Sequence, residues 1–184
     1  MPKRSQEHLD ARREQILAGA QRCFAAYGYA GATVARLEEE IGLSRGAIFN
    51  YFDGKQALFV AVAVQVNERF QRIFAEQGLE AAVRAMAAED PAWLGALIET
   101  QSKLRHDAEF VRRLEAAYEG APRLLPWLEA RQRDGTFRDD LPAKQLGQFV
   151  SMVLNGLALR VAGEEEIAVE ALLVLLRDAL APRQ

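Results

Sequence analysis

The sequence predicts an all-α protein, and three observations support that fold class. Apolar residues recur every three or four positions over most of the chain, as they do on the buried face of an amphipathic helix. No segment shows the sustained apolar and polar alternation between hairpin turns that is typical of a half-buried strand. The breaks between the periodic segments carry helix start and stop residues, such as Asp90-Pro91 and Gly28.

The first predicted helix spans residues 9–27 and ends at Gly28, because glycine is common directly after a helix. Five residues of this segment fall at helical spacing and define its inward face: Ile16, Leu17, Ala20, Cys23 and Phe24. On that face Cys23 is expected to be a core residue rather than a reactive nucleophile.

Two short helices joined by a tight turn are predicted over residues 33–52. Thr33 is a suitable N-cap for the first of them, which ends at Gly42. Ser44 is a suitable N-cap for the second, which continues to about Tyr51. This is the helix-turn-helix layout of many DNA-binding proteins, and the alternative is an ordinary helical corner.

The rest of the chain predicts longer helices, for a total of about nine. They are expected to begin at or near Lys55, Asp90, Asp107, Pro142 and Glu164. The first of these ends near Gln77, and the last two end near Ala162 and Leu180. A glycine and two prolines within residues 120–126 are expected to interrupt or kink the chain there.

The predicted helix at 142–162 is apolar on two opposite sides. One side carries Leu146, Val150, Leu154, Leu157 and Val161. Met152 and Leu159 lie nearly opposite, and the helix at 164–181 also has more apolar residues than one stripe requires. These surpluses predict a homodimer interface within residues 142–181. The alternative is that both helices lie at the centre of a monomer core.

Composition restricts the class of protein. The 184 residues are 50% hydrophobic and carry a net charge of −3, which describes a folded chain rather than a polycation. Residues 1–55 hold eight Lys/Arg and seven Asp/Glu, so they carry +1 and the remainder −4. Nucleic-acid binding therefore requires a local patch of positive charge.

One cysteine allows no internal disulfide, and two histidines leave no plausible zinc site, so no metal is expected. No apolar run approaches the roughly 20 residues of a membrane span, and a cytoplasmic protein is expected.

An enzyme is disfavoured by the absence of catalytic motifs. The sequence has no glycine-rich phosphate loop, no H-E-x-x-H motif and no pair of acids in an apolar setting. No catalytic residue is therefore assigned. The remaining alternative to a DNA-binding regulator is a helical protein-interaction module that does not bind specific DNA.

Residues 32–59, ATVARLEEEIGLSRGAIFNYFDGKQALF, resemble the TetR family of bacterial transcriptional repressors. The matching features are Thr33-Val34, the turn Gly42-Leu43-Ser44, Arg45-Gly46, the aromatic segment 48–52, Lys55 and Leu58-Phe59. The resemblance implies a DNA-binding domain at 1–55 and a helical domain for effector binding and dimerisation at 56–184. It also implies a homodimer that binds a double-stranded operator and is released by a small-molecule effector. Phe49 and Asn50 depart from the family pattern, which usually has tyrosine and a second aromatic residue there.

A narrower resemblance is to the citrate-responsive aconitase repressors of actinobacteria, within the same family. It is carried by residues 22–52, by 104–107, by 135–142 and by Asn155-Gly156. This resemblance implies that no resident cofactor is required and that the effector is a small organic anion, citrate, perhaps with magnesium.

Base contacts are predicted from two residues of the third helix. Arg45 lies at its exposed start, and a bidentate arginine on guanine is the commonest specific contact with DNA. Asn50 could read adenine, or could instead make a helix-terminal hydrogen bond within the protein. The other predicted DNA-contacting residues are Thr33, Arg36, Ser44, Gly46, Tyr51 and Lys55. Thr33, Tyr51 and Lys55 are expected at phosphates, and Gly46 would let the backbone approach closely.

Several charges near this segment have alternative interpretations. Arg36 could lie near a phosphate or could form an ion pair with Glu39 or Glu40. Lys3 and Arg4 could form a minor-groove arm or could be solvated tail charges.

An effector pocket is expected among the helices after residue 60. Its candidate lining residues are Trp93, Leu97, Gln101, Phe110, Tyr118, Trp127, Asn155 and Arg160. Arg105 or Arg160 would be the counter-charge for an acidic ligand, and Arg160 could also pair with Asp178. The alternative for each aromatic residue is ordinary core packing.

Overall fold

A computed structural model describes residues 6–118 and 124–183. Within these residues the chain forms nine α-helices and no strand, which confirms the predicted all-α class. The helices are α1 Gln6–Gly31, α2 Val34–Ile41, α3 Arg45–Phe49, α4 Gly54–Ala87, α5 Pro91–Leu104, α6 Ala108–Tyr118, α7 Leu124–Arg133, α8 Ala143–Ala162 and α9 Val169–Leu180. None of the described helices has both the length and the apolarity that crossing a membrane requires.

The described helices form two compact units. The first contains α1, α2, α3, the part of α4 up to Glu68, and α5 and α6. The second contains the part of α4 from Arg69 onward, together with α7, α8 and α9. The predicted functional boundary between residues 55 and 56 remains a prediction, because packing units do not define which residues bind DNA.

The core of the first unit is built around Phe59, where α1 packs against α2 and α5. The Phe59 ring lies 5.0 Å from that of Phe24 and 5.6 Å from that of Trp93, centroid to centroid. Cys23 is buried in the same unit, as its place on the inward face of the first helix predicted. Close contact between α1 and α2 depends on Gly19, because a Cβ there would lie 2.9 Å from Ile41 Cα.

The second unit buries one face of α8 and one face of α9. The buried residues are Leu146, Val150, Leu157 and Val161 on α8, and Leu173, Leu176 and Leu180 on α9. A second aromatic cluster places the Trp127 ring 4.8 Å from Phe74 and 5.2 Å from Phe137. Arg177 ties α9 to the second part of α4 through an ion pair with Glu80 at 2.8 Å.

Two predicted helix ends are confirmed, and two other predictions are wrong for local reasons. Gly28 and Gly78 interrupt α1 and α4 with non-helical backbone, at φ values of 66° and 86°, so regular helix ends at each glycine as predicted and a further helical segment follows it. Pro126 lies in the first turn of α7, where a missing N–H removes no helical hydrogen bond. The last helix begins at Val169 rather than Glu164, because Glu164 leaves helical geometry with a φ of 54°.

Candidate nucleic-acid interface

The corner between α2 and α3 is closed by three capping interactions. Thr33 Oγ1 accepts a hydrogen bond from the Arg36 N–H at 3.4 Å, and Ser44 Oγ accepts one from the Ala47 N–H at 3.4 Å. Gly42 ends α2 in the left-handed region, with a φ of 72°, and donates its N–H to the Glu38 carbonyl. Both predicted N-caps and the predicted glycine turn are therefore confirmed.

A fourth interaction at this corner was not predicted. Glu38 Oε1 accepts a hydrogen bond from the backbone N–H of Arg45 at 2.6 Å, which satisfies the first free donor of α3. The signal in the sequence is a carboxylate on the last turn of the supporting helix, seven residues before Arg45.

The start of α3 faces solvent while its opposite side is anchored in the core. Ile48 is fully buried, as is Leu37 on α2. Arg45 and Gly46 are exposed, and so is Asn50 at the C-cap. The backbone N–H of Asn50 donates to the carbonyl oxygens of Gly46 and Ile48, which leaves its side chain at the surface. Among the predicted DNA-contacting residues, Thr33, Arg36 and Ser44 are exposed, whereas Tyr51 and Lys55 are half-buried.

Arg36 makes neither of the predicted contacts with Glu39 or Glu40. Its guanidinium donates to the Gly31 carbonyl at 2.8 Å and lies 4.1 Å from the centre of the Tyr27 ring. Glu40 pairs instead with Arg22 at 3.7 Å. The ion-pair alternative for Arg36 is therefore wrong, because the end of α1 provides a carbonyl and an aromatic face within its reach.

Lys55 is also held by the end of α1. Its Nζ donates to the Tyr29 carbonyl at 2.8 Å and lies 4.6 Å from the centre of the Tyr29 ring. Burial lowers the pKa of Lys55, and burial raises the pKa of Tyr29, with a smaller contribution from Asp107. Lys55 therefore fixes the start of α4 against α1. Its predicted phosphate contact stays a prediction, to be made by the remaining N–H donors of the ammonium group.

The effector-pocket candidates of the first unit divide between core and surface. Trp93 and Phe110 are buried around Phe59, which matches the alternative of core packing. The indole N–H of Trp93 has no hydrogen-bond partner among the described residues. Leu97 and Gln101 are half-buried. Arg105 is exposed and its Nε donates to His106 Nε2 at 3.1 Å, so its role as the counter-charge for an acidic ligand stays a prediction.

In the second unit the candidates do not converge either. Trp127 is half-buried between Phe74 and Phe137, and Asn155 and Asp178 are exposed. Arg160 is exposed and pairs with Glu165 rather than with Asp178, and its role as a counter-charge stays a prediction. The side chain of Tyr118 lies outside the described residues, as do Lys3 and Arg4.

The outer face of α8 and α9 carries exposed apolar side chains. Met152 and Leu159 on α8 are 66% and 60% exposed, and Leu175 on α9 is 66% exposed. Val174 and Phe149 are exposed as well, and we call these five residues of α8 and α9 together the outer apolar stripe: Phe149, Met152, Leu159, Val174 and Leu175. The predicted second apolar side of α8 is therefore present, and residues 6–118 and 124–183 of one copy leave it exposed.

A buried supporting helix, a left-handed glycine turn and a capped short helix with an exposed arginine define a helix-turn-helix DNA-binding protein. Residues 16–62 match the family model described as bacterial regulatory proteins, tetR family. The chain belongs to the TetR family of transcriptional regulators. The predicted family is thus confirmed.

Relatives match the chain over its full length. It is 44% identical over 184 residues to the HTH-type transcriptional repressor Rv1474c of Mycobacterium tuberculosis, covering 98% of each chain. It is 39% identical over 188 residues to the HTH-type transcriptional repressor AcnR of Corynebacterium diphtheriae, covering 100% of this chain and 99% of the relative. Salmonella enterica GusR has the same fold, with a TM-score of 0.71 at 20% identity over 97% and 99% of the two chains. The protein is accordingly a transcriptional repressor and not an enzyme.

Proposed function

We propose that this repressor acts as a homodimer, binds a double-stranded operator through α3 of each copy, and is released from DNA by a small organic anion. The observation that carries the DNA-binding part is the start of α3. Glu38 accepts the Arg45 backbone N–H and Ser44 accepts the Ala47 N–H, so neither capping interaction uses the Arg45 side chain. That side chain is exposed and can contact a base edge.

Base reading and positioning fall to different residues in this proposal. Arg45 and Asn50 read base edges from the exposed side of α3, and Gly46 lets the backbone approach DNA. The positioning contacts to phosphates come from Thr33, Arg36, Ser44, Tyr51 and Lys55. Arg36 and Lys55 would do so while keeping their hydrogen bonds to the end of α1.

Dimerisation is supported by the outer apolar stripe. Large exposed apolar side chains on two helices of the same unit are the kind of feature that marks a protein interface. The dimer of this proposal has two α3 helices, and these would enter successive major grooves, roughly 34–36 Å apart or a multiple of that distance.

The proposed effector is citrate, with or without magnesium. Support comes from the resemblance to citrate-responsive repressors and from relatives named AcnR at 36–40% identity. A ligand that binds one spacing of the two recognition helices better than the other lowers DNA affinity by that difference in affinity. DNA release therefore follows from a shift in the populations of the two spacings. In this proposal the protein works in the cytoplasm, where the operator is.

The direct test is footprinting on the DNA that flanks the gene of this protein, in a series of salt concentrations. We expect a protected, two-fold symmetric site whose affinity falls steeply with salt, and loss of protection when citrate and magnesium are added. Failure to protect any sequence would favour the alternative of a helical protein-interaction module. Protection that citrate leaves unchanged would remove citrate and keep the repressor.

A further inference from the structure

An exposed acid lies among the residues that are proposed to contact phosphates. Asp53 directly precedes α4 and is two residues from both Tyr51 and Lys55. Two residues of chain span at most about 7 Å, so the Cα of Asp53 lies within that distance of the Cα of each neighbour. The Asp53 side chain is 90% exposed. A carboxylate at this place repels bound phosphates, because separations of this size are comparable to the Debye length of about 10 Å at 0.1 M salt.

Arg113 of α6 binds this acid from far along the sequence. Its Nη2 donates a hydrogen bond to Asp53 Oδ2 at 3.0 Å, across a separation of 60 residues. Its Nε donates to Glu109 Oε1 at 2.5 Å, one turn earlier in α6. The Arg113 side chain is 31% exposed, which makes it the less exposed partner of the pair with Asp53. Arg113 therefore brings a positive charge to the start of α4 from a helix outside the helix-turn-helix.

Other contacts hold α6 against α4 at the same place. Gln56 Nε2 donates to Asp107 Oδ2 at 3.3 Å, and Asp107 Oδ1 accepts the Phe110 N–H at 2.9 Å. The rings of Phe59 and Phe110 lie 6.4 Å apart, centroid to centroid, and both side chains are buried. The two helices are thus packed through a shared core. Loss of the ion pair should leave that packing intact, since exposed ion pairs contribute little to stability.

We propose that Arg113 is a positioning residue for DNA binding, which acts by neutralising Asp53 at the start of α4. The inference rests on the proposed function, in which Tyr51 and Lys55 contact phosphates. It adds a residue from outside the predicted DNA-binding domain at 1–55. Because the effect acts on phosphates, it raises affinity for every DNA sequence and does not choose between base pairs.

Neutralisation differs from a structural clamp in how the two partners respond to mutation. If Arg113 neutralises Asp53, removing the arginine weakens DNA binding, whereas removing the carboxylate does not. If the ion pair instead holds α4 in place, either removal breaks the same contact and weakens binding equally. The double variant separates the two roles again, because it restores the charge of the wild type without restoring the contact.

The experiment titrates the full chain with operator and with a random duplex. At low salt, Arg113→Ala should weaken binding of a dimer to both duplexes by about fivefold, since each copy gains one unbalanced carboxylate. Asp53→Asn should bind at least as tightly as the wild type, and Asp53→Asn with Arg113→Ala should recover wild-type affinity. Arg113→Lys should keep most of the affinity because it keeps the charge. The deficit of Arg113→Ala should shrink as the salt concentration rises.

Arg112→Ala is the matched control, because Arg112 is the adjacent exposed cation of α6 and pairs with Glu109. This variant should bind both duplexes within about twofold of the wild type, and all variants should melt within a few degrees of it. If Asp53→Asn weakens binding as much as Arg113→Ala, the pair is a clamp and neutralisation is refuted. Wild-type binding by Arg113→Ala would remove Arg113 from DNA binding and leave the proposed function standing. If the wild type binds neither duplex, the proposed function fails and this inference fails with it.

Discussion

Arg36, Glu38 and Lys55 share a behaviour that the sequence does not reveal. Each charged group satisfies a main-chain atom of a neighbouring element: Arg36 and Lys55 bind carbonyl oxygens at the end of α1, and Glu38 binds an N–H of α3. A charge pattern suggests partners of opposite charge nearby in sequence. The carbonyls of Gly31 and Tyr29 are within reach because they lie in the last turn of α1, where carbonyl oxygens have no partner inside the helix.

Residues that contact bases should respond to mutation differently from residues that contact phosphates. Arg45→Ala and Asn50→Ala should each cost about 1–3 kcal/mol on the operator and relax preference at particular base pairs. Titration of operator and scrambled duplexes measures both effects, with Arg72→Ala as a control. An unchanged ratio of the two affinities in Arg45→Ala would contradict its role in reading bases. If Asn50→Ala lowers the melting temperature and leaves base preference intact, Asn50 acts as a helix cap.

Lys55→Ala separates a phosphate contact from a purely internal role. A phosphate contact predicts weaker binding to operator and random DNA alike, and a salt slope lower by about one per half-site. The internal hydrogen bond to Tyr29 predicts a lower melting temperature with an unchanged slope. Measuring both quantities on the same samples decides between the two roles, and an unchanged slope would remove Lys55 from the interface.

At the scale of elements, the caps and the glycine breaks were both predictable. Thr33, Ser44 and Asp90 each accept the expected hydrogen bond, because a short polar side chain before a helix satisfies donors in its own first turn. Gly28 and Gly78 interrupt the helical backbone where the sequence predicted an end. The additional helical segment after each glycine was not predicted, because it depends on packing beyond the break, as at Leu79 and Val83, which are buried.

The two candidate sites differed in how well the sequence predicted them. The corner at α2 and α3 was predictable because local capping fixes it, whereas the effector pocket was not, since its lining depends on which faces of distant helices meet. The prediction that α8 is apolar on two sides was correct. Asn155 and Arg160, the candidate pocket residues of this helix, are exposed in one copy of the described chain.

Gly19 tests the packing of α1 on α2. Gly19→Ala should lower the melting temperature, because the new methyl group must displace Ile41, and overpacking typically costs about 1–3 kcal/mol. Gly95→Ala is the matched control, since it lies inside α5 with nothing near the position of a Cβ. That control should gain up to about 1 kcal/mol from helix propensity. Equal stabilisation of both variants would show that α1 and α2 tolerate a wider separation.

At the scale of the whole molecule, α8 supports two interfaces at once. Its inner face, with Leu157, belongs to the core of the second unit. Its outer face, with Met152 and Leu159, stays exposed in one copy. A charged residue on the inner face should therefore prevent folding, whereas one on the outer face should prevent dimerisation, although the residues are neighbours in sequence.

Leu159→Glu should produce a folded monomer, whereas Leu157→Asp should unfold the chain by burying an unpaired carboxylate. Each dimer carries the Leu159 change twice, so its dissociation constant should rise about a hundredfold or more. Sedimentation and circular dichroism measure assembly and folding, with Ala26→Glu on the exposed side of α1 as the control. A wild-type chain that sediments as a monomer at micromolar concentration would refute the dimer.

The hydrogen bond from Arg45 N–H to Glu38 uses the main chain of α3 and leaves its side chain uncommitted. The start of α3 is thus held by groups that do not depend on which residue occupies position 45, while Ile48 holds the other side. Positions 45, 46 and 50 can therefore be exchanged as a set without refolding the protein. A library randomised at these three positions and selected on altered operators would yield repressors that bind new operator sequences and keep the original response to effector.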